Sequence, residues 1–129
     1  MPGVSGADLV AVSPDGHQLA FTYQEGSPIP LNKLSVVSAS GGTPLFVCQL
    51  PIGADGLHWS PSGKALQYRL TRNGSSNIWE QPLAGGAPRQ ITNFTSGLIF
   101  AFAWSRDGKQ LLLSKGNENS DVILISNFR

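Results

Sequence analysis

The sequence is poor in cysteine, in charge and in long apolar segments, and each shortage excludes a class of protein. Cys48, the one cysteine, cannot form an intrachain disulfide or a zinc site by itself, and its apolar neighbours indicate a buried, inert thiol. The net charge is only +1 and no basic stripe is present, so we expect no nucleic-acid partner and no membrane partner. The longest apolar run, residues 98–104, is too short to cross a bilayer.

Motifs of known catalytic chemistry are missing too. The chain has no Gly-x-Ser-x-Gly nucleophile elbow and no glycine-rich phosphate loop. His17 and His58 are the two histidines, and no carboxylates cluster with them along the chain, which argues against a metal site. We therefore predict no catalytic residue, no metal ligand and no cofactor, and we expect a protein that is not an enzyme.

The first residues of the chain do not look like a targeting segment. Residues 1–6 lack the basic start and the apolar stretch of a signal peptide. We expect a soluble protein, and the sequence leaves its compartment open.

What the chain does have is a repeated turn. The segment Ser-Pro-Asp-Gly at residues 13–16 returns as Ser-Pro-Ser-Gly at 60–63 and as Ser-Arg-Asp-Gly at 105–108. Glycine pairs at 41–42 and 85–86 keep step with it. A repeat of about 45 residues that is rich in short strands is typical of a β-propeller blade.

The residues of the turn have physical roles. Ser13 can hydrogen-bond back to the backbone, Pro14 presets φ for the second position, and Gly16 accepts a positive φ at the end. Ser62 replaces the aspartate in the second turn and Arg106 replaces the proline in the third, whereas the glycine stays in all three. This chemistry predicts a tight reversal between two antiparallel strands.

The three units can be laid over one another, and they predict an all-β half propeller with eleven strands. We assign blade one to residues 7–50, blade two to residues 53–94 and the incomplete blade three to residues 97–129, in one domain of residues 1–129. Blades one and two are each predicted to be a four-stranded antiparallel sheet, and blade three is predicted to lack the fourth strand. Large residues that precede the turn should fill the space between neighbouring blades, and apolar residues two apart should share one strand face. The matched sets are Val12, Trp59 and Trp104, then Leu19, Leu66 and Leu111, then Phe21, Tyr68 and Leu113.

The repeats resemble the WD40-like repeats of TolB-type β-propellers, which carry the same Ser-Pro-Asp-Gly turn followed by a Leu-x-Phe strand. The ending at residues 121–129 also resembles the tail of the propeller domains behind bacterial serine/threonine kinases. The resemblance implies that the chain is similar to the C-terminal half of a six-bladed propeller. It also implies that the connections between second and third strands open on one face of the ring.

Three blades cannot close a ring, because propellers close with about four to eight. An open arc would expose apolar end faces with residues such as Val10 and Trp104. Either two copies join into a six-bladed ring or the chain is a piece of a longer protein, and we expect the homodimer. The unpaired strand at residues 122–125 leaves an edge that residues 2–5 of a partner could cover, unless it stays open.

Candidate ligand-facing residues lie at one odd repeat position and in the polar loops. His58 stands where the other blades have alanine and could face the central channel, although a structurally satisfied histidine is the more frequent case. The loop candidates are Arg72, Asn73, Asn117 and Glu118. Loops on a rigid scaffold concentrate binding residues, but polar loop tips are also what any soluble hairpin needs, and we favour that plainer interpretation.

The functional hypothesis is a non-catalytic propeller scaffold or binding module for a protein, peptide or carbohydrate, and the resemblance to kinase-linked propellers adds the option that it is a fragment of a sensor domain. This hypothesis rests on analogy of fold. The alternatives are an accessory propeller of a hydrolase or peptidase, a propeller enzyme with its site in the channel, and a half propeller with no function of its own.

Overall fold

The computed structural model describes residues 7–29, 31–116 and 121–126, and in them eleven β-strands form three antiparallel sheets without any helix. Each sheet is a meander in which strands that follow one another in the sequence are neighbours. Blade one contains β1 (Ala7–Val12), β2 (Gln18–Glu25), β3 (Leu31–Ser38) and β4 (Phe46–Gln49). Blade two contains β5 (Asp55–Trp59), β6 (Ala65–Arg72), β7 (Ser75–Pro82) and β8 (Arg89–Gln90). Blade three contains β9 (Leu98–Trp104), β10 (Gln110–Gly116) and β11 (Asp121–Ser126).

The all-β fold, the eleven strands and the missing twelfth strand are confirmed in the described residues. Several strand ends differ from the segments that the repeat predicts. The third strand of blade one, expected at residues 34–38, begins at residue 31, and the fourth strand of blade two, expected at residues 89–92, ends at residue 90. The exact limits of the blades stay predictions. Residues 2–5, the suggested cover for the open edge, lie outside the described residues. No helix in the described residues is long and apolar enough to cross a membrane.

The repeated turn forms as its residues predict. In the first turn the Gly16 amide donates to the Ser13 carbonyl at 2.9 Å, and Gly16 has a φ of 77°. The Asp15 carboxylate accepts from the Ser13 hydroxyl at 2.6 Å and from the His17 amide at 2.9 Å. These bonds stabilise the charged form, so the Ser13 hydroxyl first and the His17 amide second hold the pKa of Asp15 below its ordinary value. The carboxylate therefore serves the turn itself.

Each blade has two different faces, which we call front and back. The front face carries Val12 and Leu19 in blade one, and the register places their counterparts on the same face of blades two and three. The back face is the opposite side of the same sheet, with Ala20 paired to Val36 in blade one. The back of one blade packs on the front of the next, which gives two junctions.

Each junction contains a hydrophobic cluster. At the first junction, apolar residues from the back of blade one meet the front of blade two: Ala20, Leu34, Val36, Leu57, Trp59, Leu66 and Tyr68. At the second junction, Ile78 from the back of blade two meets the front of blade three, which supplies Phe102, Leu111 and Leu113. The predicted use of large residues before the turn is confirmed for Trp59 and Trp104. The Trp59 indole donates to the Ala11 carbonyl of blade one at 3.0 Å, and Trp104 packs against the second cluster.

This packing corrects one expectation about the end faces. Val10 is exposed as predicted, at 63% of its surface, because it lies on the front of blade one. Trp104 is not on an end face. It lies on the front of blade three, where blade two covers it and leaves it half-buried. The end face of blade three is instead its back, which carries Ala103 and Leu112.

Candidate functional site

A groove opens between blades two and three at the end of the sheets that carries the repeated turns. Its volume is about 360 Å³. Both turns contribute to it, together with β6, β7, β8 and the end of β9. Its lining includes Pro61, Lys64, Gln67, Glu80, Arg89 and Trp104. Concave sites with apolar walls and a few placed polar groups are where proteins usually hold ligands.

A chain of four polar side chains forms the floor of the groove. The Trp104 indole donates to Gln67 Oε1 at 2.7 Å, and Gln67 Nε2 donates to Glu80 Oε1 at 3.0 Å. Glu80 Oε2 then accepts from Arg89 Nε at 2.9 Å and from Arg89 Nη2 at 2.6 Å. Gln67 and Glu80 are both buried. The chain is connected from end to end, and a satisfied polar network of this kind holds its side chains in fixed positions.

The backbone register explains why these residues meet. Gln67 and Glu80 are direct cross-strand partners on the back of blade two, so their side chains leave the sheet side by side. The same two positions in blade one are Ala20 and Val36, which are also cross-strand partners and lie in the apolar cluster. The first junction is therefore apolar where the second is polar.

The rim of the groove carries positive charge. Glu80 is paired with Arg89, and only 11% of the Glu80 side chain is exposed, whereas 64% of the Arg89 side chain reaches solvent. Lys64 is exposed on the same rim, and no ion pair in the described part of the chain involves it. The groove thus presents one uncompensated cation beside apolar walls.

The residues predicted to face a ligand do not converge on this groove. The His58 ring lies 4.3 Å from the Phe102 ring, between blades two and three, and its Nδ1 is 2.8 Å from the Gly56 carbonyl oxygen. These contacts are those of a structurally satisfied histidine. Its role as a ligand-facing residue stays a prediction.

Arg72 and Asn73 lie on a hairpin at another place. Asn73 and Gly74, with φ of 53° and 77°, link β6 to β7 in a two-residue turn of the type favoured by Asn-Gly. Arg72 is exposed, and its Nη1 donates to the Ile52 carbonyl at 3.1 Å. Asn117 and Glu118 lie outside the described residues. The ligand-facing role of all four residues stays a prediction.

Sequence reasoning missed Gln67, Glu80 and Arg89 as a set. A single glutamate within a predicted strand gives no sign along the sequence that it is buried. The signal was in the repeat. A glutamine and a glutamate replace apolar residues at two matched positions, and those positions are partners in the sheet.

Burial disfavours the charged forms of two further reactive side chains, Cys48 and Tyr68. Burial raises the pKa of the Cys48 thiol, and Lys33 opposes this shift less strongly, so the thiolate is disfavoured as expected for an inert cysteine. Burial also raises the pKa of Tyr68 to about 12. In the described residues no three histidine, cysteine, aspartate or glutamate side chains group as a metal site would require.

Comparison with solved structures gives the class of fold. The β-propeller domain of the Trilobed protease from Pyrococcus furiosus aligns with a TM-score of 0.69 at 14% identity, over 98% of this chain and 40% of that one. TolB from Acinetobacter baumannii aligns with a TM-score of 0.65 at 22% identity, over 98% of this chain and 31% of that one. Prolyl oligopeptidase B from Galerina marginata aligns with a TM-score of 0.69 at 14% identity, over 94% of this chain and 20% of that one.

The chain therefore has the β-propeller fold, as three successive blades. TolB is among its structural neighbours, in agreement with the resemblance of its turns to TolB-type repeats. The chain spans less than half the length of each of these structures. No protein-family model and no curated protein matches the sequence. At these identities the likeness establishes the fold and leaves the activity to be argued from the site.

Proposed function

We propose that this chain is a non-catalytic binding module that holds an acidic, partly apolar peptide segment of another protein in the groove between blades two and three. The observation that carries the proposal is the buried Gln67–Glu80 pair at a position where blade one has alanine and valine. Polar groups in a junction weaken its packing unless they are fully satisfied. Here they fix the floor of a groove whose rim is open to solvent.

The walls and the rim fit a peptide. Pro61, Pro82 and Ile91 line the groove with apolar surface, and Trp104 closes one side. Such surface suits an apolar side chain or a proline of a bound segment. The uncompensated Lys64 at the rim favours a carboxylate of the ligand.

Binding to short acidic peptides tests the proposal. A labelled library of such peptides is titrated with the purified chain, and the tightest peptide is then measured against the variants Lys64→Gln and Lys109→Gln. We expect Lys64→Gln to weaken binding about two- to five-fold and to reduce its salt dependence, because one rim charge is lost. Lys109 is an exposed lysine that does not line the groove, so Lys109→Gln should leave the affinity unchanged.

A second variant probes the apolar wall. Ile91→Arg places a charge and extra bulk in the groove and should abolish binding of the same peptide. The proposal fails if no acidic peptide binds, if a glycan binds instead, or if both lysine variants behave alike. Turnover of peptide substrates by the purified chain would contradict the non-catalytic part of the proposal.

A peptidase accessory role is the second candidate, because several structural neighbours are peptidases. In that case the peptide held by the groove would be a substrate delivered to a catalytic unit elsewhere. The gene context distinguishes the two candidates. A hydrolase segment encoded in the same or the adjoining reading frame would favour the accessory role.

A further inference from the structure

Two sheet faces have no blade against them in the described part of the chain. The front of blade one exposes Val10 and Val12, at 63% and 58% of their surfaces. The back of blade three exposes Leu112 at 44% and contains a shallow apolar depression of about 180 Å³ beside Ala101 and Ala103. Exposed apolar patches of this kind mark interaction surfaces.

The two internal junctions indicate what each free face accepts. At the first junction the Trp59 indole reaches the Ala11 carbonyl, and at the second the Trp104 indole reaches Gln67. A large residue on the front of one blade thus meets the innermost pair of strands on the back of the preceding blade. Val12 holds the tryptophan position in blade one.

The back of blade three offers the matching half. Ala103 and Leu112 are cross-strand partners and hold the positions of Ala11 and Ala20 in blade one. The free front carries the exposed side chains of Val10 and Val12, and the free back carries a depression lined by Ala101, Ala103 and Leu112. A front of this kind on a back of this kind repeats the arrangement of the two internal junctions.

The repeated turns of neighbouring blades lie side by side in a row, and they also show how one blade contacts the next. A methyl group built on Gly63 would lie 3.7 Å from Pro14 Cδ, and one built on Gly108 would lie 2.8 Å from Pro61 Cβ. Pro14 and Pro61, the second residues of the first two turns, therefore lie against the glycine of the next blade's turn. Gly16 has no atom within 4 Å of the same position.

Blade three differs from the others at this row, because Arg106 stands where blades one and two have proline. A blade placed after blade three would set its turn glycine against Arg106. If that blade were blade one of another copy, Gly16 and the neighbouring Asp15 carboxylate would lie beside the Arg106 guanidinium. Both charges are exposed, so the contact brings opposite charges together.

We propose that a second copy of this chain fills both free faces, with the front of blade one of each copy on the back of blade three of the other. The two equal junctions close a two-fold ring of six blades, which lies within the range of about four to eight that propellers use. Three copies would exceed that range. This assembly is independent of the groove, which is complete within one chain.

The experiment pairs two variants that fail alone and recover together. Val12→Glu charges the front of blade one, and Leu112→Lys charges the back of blade three. In each variant alone both junctions of the ring carry a buried unpaired charge. In the mixture, one junction is unmodified and the other pairs the new glutamate with the new lysine.

Sedimentation equilibrium at micromolar concentration gives the readout. We expect twice the single-chain mass of 13.7 kDa for the unmodified chain, the single mass for each variant, and twice the mass for the equimolar mixture. Ile52→Glu is the control, since Ile52 is exposed at 83% in the connection between blades one and two and should leave the double mass unchanged.

Each remaining outcome overturns the proposal. A single-mass unmodified chain would mean that no second copy covers the faces. A mixture of variants that stays at the single mass, with circular dichroism showing both folded, would mean that the two faces do not meet each other. Variants that keep the double mass would place the dimer contact elsewhere.

Discussion

At the scale of single residues, the repeated turn shows how few positions determine a reversal. Its glycine has φ of 77°, 74° and 74° in the three blades, a conformation that other residues adopt only with strain. In blades one and two, the proline two residues before this glycine also contacts the turn glycine of the following blade. The glycine is thus required by the backbone in all three turns and by close packing at Gly108, whereas Gly63 has room for a methyl group.

Two glycine substitutions separate these requirements. Gly16→Ala should lower the free energy of unfolding by about 1 kcal/mol, from backbone strain alone. Gly108→Ala adds the 2.8 Å contact with Pro61 Cβ and should cost about 1–3 kcal/mol more. Urea unfolding of both variants measures the difference. Equal losses would contradict the packing role of the turn row.

The turn aspartates give a pH dependence at the same scale. The Ser105 hydroxyl first and the Lys109 amide second lower the pKa of Asp107, as the corresponding groups do for Asp15. A carboxyl whose pKa is lowered by folding stabilises the protein above its unfolded value, near 3.8, and that contribution is lost as pH falls through the folded value.

Replacing both aspartates by serine should therefore reduce the loss of stability in acid. Serine fits this position, because Ser62 holds it in blade two and its hydroxyl accepts from the Lys64 amide at 3.2 Å. The readout is the difference in urea midpoint between neutral pH and pH below the lowered values. An acid loss as large as that of the unmodified chain would exclude the two turns as its source.

At the scale of elements, the strand β8 is short because side chains replace its backbone ladder. Asn77 Oδ1 accepts from the Thr92 hydroxyl at 2.8 Å and from the Phe94 amide at 2.7 Å. The Thr92 hydroxyl accepts from the Ile78 amide at 2.9 Å in turn. The segment after β8 is thus held to β7 by side chains and by one backbone bond, from the Ile91 amide to the Ile78 carbonyl at 2.8 Å, and the strand ends two residues before its predicted end.

Asn77→Ala should lower the free energy of unfolding by about 2–3 kcal/mol, because it leaves the Phe94 amide and the Thr92 hydroxyl without their acceptor. Asn93→Ala is the matched control, since Asn93 is exposed, and it should change stability by less than about 0.5 kcal/mol. Thermal or urea unfolding measures both. A loss in the control as large as in Asn77→Ala would contradict the role of the network.

Much of this architecture could be predicted from the sequence, for a physical reason. Each turn requires a glycine with a positive φ, and a tryptophan before the turn, Trp59 or Trp104, fills each junction within the chain. These residues therefore recur at a fixed spacing in the sequence. The groove could not be predicted in the same way. It depends on Gln67 and Glu80 being partners across β6 and β7 and on Arg89 contacting Glu80. Neither contact can be recognised from the positions of these residues in the sequence.

At the scale of the whole molecule, the blades form an arc in which each back face covers the next front face. The first junction is apolar and the second contains the groove. The junction that we propose between two copies would repeat the same contact. Leu66 and Leu111 are buried at the two junctions within the chain, whereas Val12, on the front of blade one, is exposed.

Small-angle X-ray scattering of the unmodified chain at micromolar concentration tests this account most directly, because it reports mass and shape together. The account predicts a flat, closed particle with twice the single-chain mass of 13.7 kDa. A particle of the single mass with the profile of an open three-bladed arc would contradict it.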